Sequence, residues 1–67
     1  MMGVCVFRFR DVAPEVQAMS PHGGDEDWVI IGLNEQLVRQ VTDKLDVCGD
    51  AHVVEDAGVW YAITSHS

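Results

Sequence analysis

Trp28 to Val47 reads WVIIGLNEQLVRQVTDKLDV and combines the densest apolar run in the chain with its only convincing helical repeat. The first four residues, Trp28 to Ile31, are aromatic and β-branched, side chains whose stiffness favours a pleated, buried strand. Gly32 interrupts the run. Asn34 is then placed to accept from the unpaired N–H groups that open a helix, and Glu35 stands where the helix dipole favours negative charge. Leu37, Val38, Val41 and Leu45 follow at spacings of three and four, on one helical face. Glu35, Gln36, Arg39, Gln40, Asp43 and Asp46 share the opposite face, and Gly49 soon after the last apolar position suits a left-handed stop. The reading is strand then helix, Glu35 to Asp46; the rival is one long helix from Asp25 to Asp46, since Asp25-Glu26-Asp27 also suits a helix start.

Outward from this centre, Val4 to Arg10 (VCVFRFR) alternates, which predicts a half-buried strand with Phe7 and Phe9 inward and Arg8 and Arg10 pairing with carboxylates. Pro14 opens a helical turn reaching Met19. Ser20 to Gly24 reads as a loop, and the acidic triplet Asp25-Glu26-Asp27 that ends it is expected in water, because adjacent like charges repel. Residues 12–27 are thus read as a flexible acidic loop.

On the other side, Ala51 to Glu55 and Val59 to Thr64 flank Asp56-Ala57-Gly58, which reads as a hairpin with a three-residue loop and a glycine bulge. Pairing Glu55 with Val59 puts Ala51, Val53, Tyr61 and Ile63 on one face and His52, Val54, Trp60 and Ala62 on the other. The predicted fold is α+β: a small antiparallel β-sheet of about four strands in β-β-α-β-β order, with one amphipathic helix on one face. Its core is expected to hold Phe7, Phe9, Ile30, Leu37, Val41, Leu45, Val53 and Ile63, with a close approach of helix to sheet at Val41.

The chain has 67 residues, enough for one small domain with a marginal core, so a partner or a homodimer is plausible. Hydrophobic content of 48% argues against disorder, and no apolar run nears the ~20 residues that span a bilayer. No secretory signal is read at Met1 to Val4, and cytoplasmic residence is expected. Cys5 and Cys48 are read as buried free thiols.

Charge is the strongest global feature: eleven acidic residues against four basic ones, a net charge of -7. Nucleic acid and anionic membrane repel such a chain, and a charged partner should be basic. The partner-binding candidates are Asp25, Glu26, Asp27, Glu35, Asp43, Asp46, Asp50, Glu55 and Asp56, with Trp28 and Trp60 as apolar anchors. Trp60 is equally the candidate contact of a homodimer. Cys48, Asp50 and His52 have period-two spacing and offer a minor metal-binding alternative, completed by His22 or His66. No catalytic motif, phosphate-binding loop or cofactor signature is present in the sequence, and no enzymatic activity is expected.

In size, charge and expected architecture the chain resembles small acidic phage-encoded inhibitors of the anti-CRISPR and anti-restriction type. The resemblance implies a viral protein acting in the host cytoplasm that binds a larger protein's basic, nucleic-acid-binding groove as a DNA mimic.

Overall fold

A computed structural model describes residues 3–20, 24, 26–45 and 51–64. Strand β1 (Val4–Arg8) leads through a 3-10 turn (Phe9–Asp11) into the short helix α1 (Pro14–Gln17). Strand β2 (Trp28–Gly32), helix α2 (Glu35–Leu45) and the strands β3 (Ala51–Asp56) and β4 (Val59–Thr64) follow. This is the expected α+β class, and the strand-then-helix reading of residues 28–45 holds. Every strand pairing is antiparallel, and the spatial order is β1-β2-β4-β3.

Helix α2 starts where its chemistry places it. The Leu37 N–H donates to Asn34 Oδ1 at 3.1 Å, and the Asn34 carbonyl accepts from Val38 at 3.1 Å. Arg39 Nε reaches Glu35 Oε2 one turn back at 2.8 Å, on the solvent side. The helix packs on the sheet through Val38, with Val41 and Leu45 beside it, against Ile30 and Ala62; Val4, Trp28, Val53 and Trp60 border this cluster. Thr42 is buried in the same stripe because its hydroxyl donates to the Val38 carbonyl at 2.6 Å, which satisfies the polar atom locally. Helix and sheet approach closely at Val38, which is fully buried where Val41 is partly buried: a Cβ added to Gly32 would stand 2.9 Å from Val38 Cγ2 and 3.3 Å from Val4 Cγ2. Glycine is there for contact rather than for a turn.

The second face of the sheet carries its own cluster, Phe9, Val29 and Ile63, bordered by Val12, Val16, Met19 and Ile31. Helix α1 and the 3-10 turn cover this end, and Gln17 Nε2 holds them together by donating to the carbonyls of Phe9 at 3.0 Å and Val12 at 3.2 Å.

Three expectations need correction. Strand β1 stops at Arg8, so Phe9 leaves the alternation and is buried from the turn, whereas Phe7 stays on the strand and is 41% exposed. Leu37, Val41, Leu45 and Val53 are only partly buried, while Val29, Val38 and Ala62 complete the buried core. The hairpin pairs Glu55 with Trp60 and Asp56 with Val59, leaving a two-residue turn. Ala57 at φ 53 and Gly58 at φ 81 give the doubly left-handed turn that matches strand twist, so no bulge is needed. Because side chains alternate with period two, this one-residue shift moves Tyr61 and Ile63 away from Val53 and puts them with His52 and Val54.

Candidate functional site

The carboxylates proposed to meet a partner fall into distinct environments. Asp27 is only 1% exposed, contrary to the expectation for the acidic triplet. One carboxylate oxygen accepts the Gly24 N–H at 2.8 Å, the Asp27 N–H returns to the Gly24 carbonyl at 2.9 Å, and the Asp27 carbonyl accepts from Phe9 at 2.8 Å. It closes the turn into β2 and belongs to the architecture. Glu26 is exposed but engaged: Arg8 lies 3.5 Å and Arg10 3.7 Å from its carboxylate, and Arg8 also donates to its carbonyl at 2.8 Å. The expected pairing of the two N-terminal arginines with carboxylates is thereby realised on one residue. Glu35 is held by Arg39.

What remains is a set of exposed carboxylates without an ion pair among the described residues. Asp43 projects from α2, and Glu55 and Asp56 stand at the β3-β4 hairpin, where Glu55 accepts the Gly58 N–H at 2.8 Å. Asp11 and Glu15, which are not among the partner-binding candidates read from the sequence, join this set at α1 and the turn before it. Asp25, Asp46 and Asp50 lie outside the described residues.

Neither tryptophan stands free as an anchor. Trp28 and Trp60 are partly buried on the helix-covered face, bordering the Ile30-Val38-Ala62 cluster. The Arg8 guanidinium carbon sits 3.8 Å from the Trp28 ring centroid, a cation–π contact. An open, mainly apolar groove lies elsewhere: about 310 Å³ on the second face, lined by Phe7, Ile31, Tyr61, Val12, Ala13 and Val16 together with Asp11. Phe7 and Tyr61 reach it because β1, β2 and β4 place Phe7 beside Val29, and Tyr61 beside Ile31, on the face that α2 leaves uncovered. The signal available in the sequence was the Phe7 side of the β1 alternation, read there as core.

Cys5 is exposed on β1 rather than buried. Of the metal alternative, Cys48, Asp50, His22 and His66 lie outside the described residues, and His52 is exposed on β3. Among the described residues no three His, Cys, Asp or Glu side chains converge as metal ligands. No helix among them is long and apolar enough to cross a membrane. No family model, curated protein or solved structure matches the chain, so the site stands on its geometry.

Proposed function

We propose that this chain is a small acidic binding protein that docks on a basic, nucleic-acid-binding surface of a larger protein and blocks it. The observation that supports this reading is the imbalance of partnered charge. Each of the three arginines is already held by Glu26 or Glu35, whereas Asp11, Glu15, Asp43, Glu55 and Asp56 are exposed and make no ion pair among the described residues. Such a field accelerates encounter with a cationic groove and competes with phosphates for the same lysines and arginines. Charge steers association but contributes little net affinity, so an apolar contact must hold the complex. The Phe7-Ile31-Tyr61 groove fits that role better than either tryptophan, because it is open, mainly apolar and lined in part by Asp11.

The test is affinity capture of the tagged chain from host cells, followed by binding measurements on the captured protein. Replacing Asp43, Glu55 and Asp56 by their amides should slow association and flatten its salt dependence, and Phe7→Ser should speed dissociation. Binding that ignores both changes and does not weaken with salt would return the carboxylates to a solubility role.

A further inference from the structure

We infer that two copies of this chain pair through the open edge of β1, extending each sheet into the other. Among the described residues β1 has a neighbour only on the β2 side. The register ends with Arg8 opposite Trp28, and one residue beyond it the Phe9 N–H donates to the Asp27 carbonyl at 2.8 Å, which sets the phase of the bonds along the ladder. Hydrogen-bonded and non-bonded pairs alternate along an antiparallel ladder. Cys5 and Phe7 therefore bond to β2, and the backbone N–H and C=O groups of Val4, Val6 and Arg8 point to the open side.

That edge is self-complementary. With Val6 on a two-fold axis, Val6 meets Val6 of the second copy and Val4 meets its Arg8, so every outward-facing donor on β1 finds an acceptor. Cys5 then lies directly opposite Phe7 of the second copy, in the non-bonded type of pair where side chains come closest. Phe7 is 41% and Val6 38% exposed in the single chain, and pairing covers both.

The edge itself sets no like-charge barrier against a second copy. The β1 sequence VCVFR contains no carboxylate, and its one cation is already paired with Glu26 and stacked on Trp28. In the paired strands the two Arg8 residues stand four positions apart, roughly 13 Å, beyond the screening length of about 8 Å at physiological salt. The opposite edge, β3, ends in the exposed carboxylates Glu55 and Asp56, a charge that protects a strand edge from pairing. One edge is guarded and the other is not. A five-residue strand buries less than a standard interface, so the dimer should be weak and concentration-dependent.

The experiment is light scattering of the full chain up to millimolar concentration, with amide hydrogen exchange read residue by residue. The expected result is a reversible dimer in which Val4, Val6 and Arg8 amides gain protection with concentration, while Cys5 and Phe7 amides are protected at every concentration. Val6→Pro removes an outward donor and leaves the β1-β2 ladder intact. It should weaken the dimer by more than roughly tenfold, since both copies lose a bond on the axis. Val6→Lys, which charges the edge without altering the backbone, serves if the proline variant loses its circular dichroism spectrum. Raising salt should tighten this dimer by screening two chains of charge -7, the opposite of its effect on docking to a cationic partner. A strict monomer at millimolar concentration, a dimer whose Val6 amide exchanges as in the monomer, or one that survives Val6→Lys would overturn the inference.

Discussion

The two faces of the sheet are made by the same strands and end up in different states. On one, α2 lies across β2 and β4 and brings Ile30, Val38 and Ala62 to zero exposure. On the other, α1 is a single turn of four residues that covers Val29 and Ile63 at one end and leaves Phe7 and Tyr61 lining a groove. The difference teaches that cover, not composition, separates core from surface in so small a chain. Phe7 is as apolar as Ile30, but only Ile30 has an eleven-residue helix above it.

The largest expected effect breaks this contrast directly. Ile30→Ala should cost about 2–5 kcal/mol and lower Tm by ~10 °C or more, because the fully buried site cannot collapse around the cavity. Phe7→Ala, on the open face, should cost about 1 kcal/mol or less, since much of its ring is already hydrated. Thermal melts of the two variants check it; equal losses would mean that both faces are core.

A second variant sharpens the account of the covered face. Gly32→Ala drives a methyl group into Val38 and should destabilise by ~1–3 kcal/mol in urea unfolding. Val38 is a stiff, fully buried side chain and cannot turn aside. In a Val38→Ala background the added cost of Gly32→Ala should shrink, and simple additivity would show that the clash lies elsewhere.

The smallest effect concerns the turn that assigns side chains to faces. Ala57 holds φ 53 without being glycine, a conformation costing roughly 1 kcal/mol that asparagine tolerates better. Ala57→Asn should raise stability by ~0.5–1 kcal/mol, a gain of a few degrees in Tm. No gain would argue for the three-residue bulged loop and its other register.

Much of this was legible in the chain itself because it is local. The β-branched run ending at Gly32, the Asn34 cap, the Glu35-Arg39 pair and the spacing of Val38, Val41 and Leu45 act within one or two helical turns, and they divide residues 28–45 correctly. The acidic surplus needs only counting, but counting does not say which carboxylates stay exposed: Asp11 and Glu15 do, and Asp27 of the acidic triplet does not. Tertiary structure decided the rest. Asp27 is buried because Phe9, eighteen positions earlier, pairs with its carbonyl, and Trp28 is fixed by its N–H bond to Thr64 Oγ1, 36 positions later, at 2.9 Å. The hairpin register followed from a left-handed alanine that propensity disfavours, and the exposure of Phe7 from the shortness of α1. Burial depends on which distant segments meet, and periodicity along the chain reports only which side chains share a face.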